Sequence, residues 1–205
     1  MPLPVGRPVD ETFFTCSIFL LWTGLANAFD YPALHSVIGV AADDLLNVRE
    51  GPSTSSPVIA TLRHTASGIE IIKTTADGKW GLLNVAEGTG WAAMLHLTKT
   101  VISDPKSQCF GTEPFWSADF GTDASFELAG ETAQSYQVVA KTNSSNRTDR
   151  FAIIAQGTTG QLIATLSAKE CSDGMSDRLF GLSAELLVEE AGSWTQYSGC
   201  CSLKK

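Results

Sequence analysis

The stretch that decides the fold begins with LLNVREGPS at residues 45–53 and ends with GTGWA at residues 88–92. Between them lie IEII at residues 69–72 and DGKWGLL at residues 77–83. Short apolar runs separated by turn residues, together with Trp80 and Trp91, are typical of a small β-barrel. Such a barrel indicates a binding module and not a catalyst.

Local patterns place strands and turns within this stretch. Apolar and polar residues alternate through residues 46–49, as in a strand with one buried face. Gly51-Pro52 ends that strand. Asp77-Gly78 predicts a hairpin because both residues tolerate positive φ, and Trp80 and Asn84 then share a face of the following strand.

The ordered blocks LNVREGPS, VIATL, IEII, GKW and GTGWA resemble the bacterial SH3 domain over about residues 36–100. The resemblance implies a small barrel of exported bacterial proteins that binds cell-wall peptide, sugar or protein. It implies a structural role for Asn47, Arg49 and Gly51-Pro52. It also implies that Trp80 lines the ligand groove, whereas Trp91 matches a block that more often serves as core.

The second half of the chain predicts another all-β domain. Residues 99–108 (KTVISDPKSQ) read as a linker, and strand-like runs then recur with Gly, Asn, Asp and Thr between them. We therefore expect an antiparallel barrel or sandwich over residues 109–205, after an SH3-like barrel over residues 29–98. One run, residues 184–190, is also compatible with a helix.

Three further blocks carry a second resemblance. GTEPFW at residues 111–116, CSDGMSDR at residues 171–178 and the terminal GCC at residues 199–201 resemble a family of exported bacterial domains with no settled function. The resemblance implies a location and a fold, and it implies no reaction.

The N-terminus predicts an export signal over residues 1–28. Residues 13–25 are apolar but short for a membrane span, and Ala26-Asn27-Ala28 fits signal-peptidase cleavage after Ala28. Acidic residues precede the apolar run, which is unusual and which a start codon assigned too early would explain. The alternative is a retained membrane anchor.

The cysteines support export to a periplasmic or secreted location. Beyond Cys16, four remain: Cys109, Cys171, Cys200 and Cys201. In an oxidising compartment they predict two disulfides. A bridge between adjacent cysteines is disfavoured, so each of the two remaining pairings joins Cys109 and Cys171 to the terminal pair. A metal or redox site is the alternative, but the chain lacks C-x-x-C spacing and a nearby histidine.

The amino-acid composition disfavours two classes of partner, nucleic acid and anionic lipid. The net charge is −8 with 43% hydrophobic residues, so a core can form and nucleic acid is disfavoured as a ligand. The same charge argues against electrostatic docking to anionic lipid. We expect no stable membrane span after signal cleavage and no cofactor.

Catalytic signals are weak, and the sequence predicts no enzyme. The three histidines, His35, His64 and His96, are isolated from one another and from every cysteine of the second half. Carboxylates offer the alternative of a wall-acting hydrolase that uses Glu113 with Asp173 or Asp177. A structural interpretation, in which these aspartates cap turns, is preferred. A sensory barrel holding a small molecule is a further alternative.

The favoured hypothesis is a non-enzymatic binding protein of the bacterial envelope. Its ligand is cell-wall peptide or glycan, or an envelope protein, held by Trp80 with Arg49 and His96 as neighbours. Phe115 and Trp116 are adjacent on a predicted strand and must point to opposite faces. Trp116 is predicted to be the partly exposed one of the two, available for a groove.

Overall fold

A computed structural model describes residues 30–102 and 106–205. The predicted signal peptide therefore lies outside the described residues. Within those two ranges the regular structure is strand throughout, apart from one 3₁₀ turn, η1 (Met94–His96). The predicted all-β class is confirmed.

The first unit consists of two small sheets around one core. Its strands are β1 (Ala33–Val37), β2 (Leu45–Arg49), β3 (Val58–Arg63), β4 (Ser67–Ile71), β5 (Lys73–Thr74), β6 (Trp80–Val85), β7 (Gly88–Ala93) and β8 (Leu97–Lys99). The sheets have the orders β4-β1-β8 and β3-β2-β7-β6-β5. Val48, Ile71, Leu83 and Ala92 are among the residues buried between them.

The second unit is a closed eight-stranded barrel. Its strands are β9 (Lys106–Thr112), β10 (Phe115–Phe120), β11 (Asp123–Leu128), β12 (Gln134–Asn143), β13 (Arg150–Gln156), β14 (Gln161–Cys171), β15 (Phe180–Glu190) and β16 (Ser193–Lys204). Neighbours in the chain pair antiparallel, and β16 closes the barrel on β9. The barrel begins at Lys106, before the predicted boundary at Cys109. Residues 184–190 lie in β15, so the helical alternative for that run is wrong.

Alternate residues of the barrel strands fill its interior. On β15, Leu182, Ala184, Leu186 and Val188 all belong to the core, as the period of two in a strand requires. Equivalent positions on the other strands complete a continuous apolar cluster. The inside of the barrel is therefore packed with side chains.

Two disulfides tie the barrel, and their geometry follows from the adjacent cysteines on β16. Neighbours on a strand point to opposite faces. Cys201 points inward and bonds Cys109, its directly paired neighbour on β9, within the core. Cys200 lies on the other face of β16 and bonds Cys171 at the end of β14. Of the two pairings that the sequence left open, the structure has Cys109–Cys201 with Cys171–Cys200.

Disulfides of this kind indicate that the chain folds in an oxidising compartment. In the part of the chain that the structure describes, no helix has the length and apolarity needed to cross a membrane.

Candidate ligand-binding face

One face of the five-stranded sheet carries two of the four predicted ligand residues, Trp80 and Arg49. Arg49 on β2 is paired with Trp91 on β7, Trp91 with Leu82 on β6, and Leu82 with Lys73 on β5. Directly paired residues point to the same side of a sheet, so these four form a row. Trp80 lies two residues from Leu82 and shares its face. Leu82 is buried, whereas Arg49, Trp80 and Trp91 are half-buried, and we call these three residues the tryptophan face.

Trp80 is positioned by the turn that precedes it. Its N–H donates to Thr75 Oγ1 at 3.2 Å, and its carbonyl accepts from Thr75 N–H at 2.9 Å. The Thr75 hydroxyl in turn donates to Asp77 at 2.7 Å. This bond, with those from Lys79, lowers the pKa of Asp77 to about 2. β5 and β6 pair antiparallel on either side of this turn, and Gly78 has φ of +69°, so the predicted hairpin at Asp77-Gly78 is confirmed.

Arg49 is held at the other end of the row. Its Nη1 donates to the carbonyl oxygen of Ser56 at 2.7 Å, across the loop between β2 and β3. The side chain is half-buried. One guanidinium nitrogen thus holds the loop between β2 and β3 in place.

Trp91 is on the tryptophan face and not in the core, which corrects the expectation for this residue. Its neighbours Gly90 and Ala92 are buried, and a Cβ on Gly90 would lie 2.6 Å from Val48 Cγ1 in the core. The Trp91 side chain must then point the other way. Trp80 and Trp91 are diagonal neighbours across β6 and β7, a spacing that aromatic side chains can bridge.

His96 lies outside the paired row. It is the last residue of η1, where its carbonyl accepts from Ile38 N–H at 2.9 Å and its ring faces Gly39. The structure thus places Trp80 and Arg49 on one face and puts His96 beside the end of β1.

The prediction that Trp116 is partly exposed is wrong. Trp116 is 4% exposed inside the barrel, where it packs near Phe126 and Tyr197, whereas Phe115 is 55% exposed. Ala118 and Phe120 share the inward face of β10 with Trp116. The sequence carried this signal, because the face of Phe115 continues through polar residues 117 and 119.

Of the three carboxylates proposed for hydrolysis, Asp173 caps a turn in the structure. The three motif blocks do come together, through both disulfides and a bond from Thr112 Oγ1 to the carbonyl of Asp173 at 3.4 Å. The Asp173 carboxylate accepts from Met175 N–H at 3.0 Å and Ser176 N–H at 2.9 Å, and these bonds lower its pKa. Asp173 therefore caps the turn around Gly174. Glu113 and Asp177 are exposed.

Cavities and metal ligands add little to the candidate site. The packed barrel interior weighs against an apolar ligand in its mouth. An open cleft of about 650 Å³ is lined by polar residues such as Asp123 and Gln137 together with the core residues Ala124 and Tyr136. Among the described residues, no three His, Cys, Asp or Glu side chains come together in a way that could hold a metal ion.

Comparison of the chain with protein-family models and with curated proteins gives no match.

Proposed function

We propose that this chain is a non-enzymatic binding protein of the bacterial envelope, and that its N-terminal unit is an SH3-like domain. The ligand is a cell-wall peptide or glycan, or an extended segment of an envelope protein. It lies across the tryptophan face, with Trp80 and Trp91 as an aromatic platform and Arg49 as a flanking donor.

The observation that carries this proposal is the pair of half-buried tryptophans on the side of the five-stranded sheet that faces away from the core of the first unit. On the same side of β6, Leu82 is buried and Asn84 bonds the barrel, so the tryptophan face ends where the contact with the barrel begins. Indole rings bury a large area at little cost in side-chain freedom, and their N–H groups add directional hydrogen bonds. Arg49 has five N–H donors, of which the bond to Ser56 uses one nitrogen, and the rest suit carboxylate or carbonyl groups. An extended peptide or a sugar chain offers both flat faces and such acceptors.

The envelope location is supported by two features. The disulfides need an oxidising compartment, and residues 1–28 fit an export signal. We assign the mature protein to the periplasm or the exterior of a bacterial cell, where wall fragments and other exported proteins are the available ligands.

Sedimentation with purified peptidoglycan tests the proposal. The mature disulfide-bonded protein, Trp80→Ala and Trp194→Ala are each incubated with insoluble peptidoglycan, and the bound fraction is measured. Trp194 is a matched control because it is 48% exposed and belongs to the barrel. We expect Trp80→Ala to lose at least tenfold in affinity and Trp194→Ala to bind as the wild type does. Equal binding by all three proteins would refute the tryptophan face, and equal loss in both variants would refute its specificity.

A further inference from the structure

Polar contacts join the two units, and those of Asn84 involve the backbone of the barrel. The Asn84 side chain donates through Nδ2 to the carbonyl of Leu179 at 2.8 Å and accepts through Oδ1 from the Leu179 N–H at 3.1 Å. Lys73 on β5 forms an exposed ion pair with Glu170 on β14. Lys205 Nζ donates to Ser67 Oγ at 3.0 Å.

Buried apolar side chains lie beside these polar contacts between the two units. Leu34, Ile72, Leu82 and Phe180 are buried but belong to neither core cluster. Leu82 shares a strand face with Asn84, which bonds the barrel at Leu179, the residue before Phe180. The outward-pointing Phe110 meets Phe180 edge-on, with ring centroids 4.8 Å apart.

Close approach on the barrel side requires glycine. A Cβ on Gly181 would lie 2.6 Å from Pro32 of the first unit. The first unit therefore sits directly on the start of β15, and the contact between the units is tightly packed.

Glu70 is the ionisable group at the centre of this contact. It lies on β4 beside Leu34 of β1, and its Oε1 accepts from Leu203 N–H on β16 at 2.9 Å. The Ser202 hydroxyl also bonds the carboxyl group. Burial removes water from the Glu70 carboxyl group and so disfavours its charged form. This effect outweighs the hydrogen bonds and the charge of Arg178, which favour the charged form, and it raises the pKa of Glu70 to about 7.

The other charged groups around Glu70 are mostly engaged elsewhere. On β16, Lys204 pairs with Asp119, and Lys205 bonds Ser67. Arg178 lies over the Phe180 ring at 5.4 Å. On β1, His35 is one residue from Leu34 and so points to the opposite face, into the first unit. Arg178 is therefore the cation that acts on Glu70, and it does not offset the loss of water.

We propose that the contact between the two units is a reversible, pH-sensitive latch, which is closed while Glu70 carries a proton and opens when Glu70 ionises. This contact adjoins the tryptophan face, because Leu82 and Asn84 continue the face of Trp80 along β6. The latch itself is argued without any property of the ligand. The partner that Glu70 binds is the second domain of the same chain.

The direction of the pH dependence follows from the linkage between docking and protonation of Glu70. A carboxyl group whose pKa is raised in the docked state favours docking at low pH, and that contribution is lost as the pH rises through the docked-state value. A rise from 4.5 to about 7 makes the docking constant fall about 75-fold between pH 5 and pH 9.

Hydrogen exchange of two amides reports on the latch in the mature full-length protein. Leu203 N–H donates to Glu70 and Leu179 N–H donates to Asn84, so both exchange when the units separate. Protection is measured from pH 5 to pH 9 and corrected for the intrinsic rate. Three proteins are compared: wild type, Glu70→Gln, and Glu50→Gln as an exposed glutamate of the same unit.

In the wild type and in Glu50→Gln we expect the corrected protection of both amides to fall by one to two orders of magnitude as the pH rises. In Glu70→Gln the protection should not change with pH, because glutamine keeps the shape and stays neutral. Core barrel amides such as that of Leu166 should not change in any of the proteins. Constant protection in the wild type, or an equal fall in Glu70→Gln, would overturn the proposal. The wild-type profile decides the matter even if a variant fails to fold.

Discussion

The two disulfides are predicted to contribute unequally to stability. The Cys109–Cys201 bridge spans a sequence separation of 92 residues and the Cys171–Cys200 bridge one of 29. We compare two double variants, Cys109→Ala with Cys201→Ala, and Cys171→Ala with Cys200→Ala. Each removes one bridge and leaves no unpaired cysteine after the predicted signal peptide, which contains Cys16.

The magnitude follows from the loops that the bridges close in the unfolded chain. The chain-entropy relation gives about 4.6 kcal/mol for the longer loop and about 3.6 kcal/mol for the shorter one. The difference of about 1 kcal/mol has a second source in the same direction. Cys109 and Cys201 are both fully buried in the barrel core, so their removal also loosens packing.

Equilibrium unfolding in urea, monitored by near-ultraviolet circular dichroism of the barrel aromatics, measures both costs. We expect both variants to lose 2–5 kcal/mol of unfolding free energy, the range typical for native bridges, with the greater loss in the Cys109/Cys201 variant. A reduced wild-type sample serves as the lower limit. If the Cys171/Cys200 variant is destabilised as much or more, the loop-length argument is wrong for this barrel.

Three further predictions concern single residues. Trp116→Ala should lower the unfolding free energy measured in urea by about 3–5 kcal/mol, because the side chain is buried in the barrel. The exposed control Phe115→Ala should lower it by less than about 1 kcal/mol. Similar losses in the two variants would contradict the burial of Trp116. Gly160→Ala should cost about 1–3 kcal/mol, because its Cβ would lie 1.9 Å from a backbone oxygen of β15, whereas Gly88→Ala has open space; equal thermal midpoints would contradict this. Burial lowers the pKa of His35 below its ordinary value of 6.5. As the pH drops through 6.5, the unfolded chain therefore binds a proton at this histidine more readily than the folded chain does, and the free energy of unfolding decreases. His35→Gln should therefore gain stability relative to the wild type between pH 7.5 and pH 5 in urea titrations, and a constant difference would rule out this linkage.

Much of the fold was predictable because its signals are local. Alternating polarity and turn residues predict β10 at residues 115–120, as observed, and Asp77-Gly78 predicts the hairpin before Trp80. The closed barrel was one of two expected forms. Closure depends on the pairing of β16 with β9, which are far apart in the chain, so no local pattern could choose between barrel and sandwich.

The orientation of the tryptophans was harder to predict. A strand with aromatic residues at adjacent positions buries one of them, and the choice depends on the rest of each face. For Trp116 the deciding residues, 117–120, were present in the sequence. For Trp91 the sequence does not show which face of β7 is buried, because the inward-pointing residues Gly90 and Ala92 are small. Large residues of other strands fill the space above them.

The contact between the units left one signal in the sequence. A strand with one buried face alternates, but Ile71-Ile72 and Leu82-Leu83 each place two apolar residues side by side. In both pairs one residue enters the first core and the other is buried outside it. The polar partners, Asn84 with Leu179 and Glu70 with Leu203, lie too far apart in sequence to be paired by inspection.

The tryptophan indole N–H signals of the mature protein test the central claim most directly. Four tryptophans follow the predicted signal peptide: Trp80, Trp91, Trp116 and Trp194. In ¹⁵N-labelled protein titrated with soluble peptidoglycan fragments, we predict shifts of the Trp80 and Trp91 indoles that saturate together. The buried Trp116 and the distant Trp194 should stay in place. Shifts confined to Trp194, or saturable binding with all four indoles unmoved, would contradict the tryptophan face.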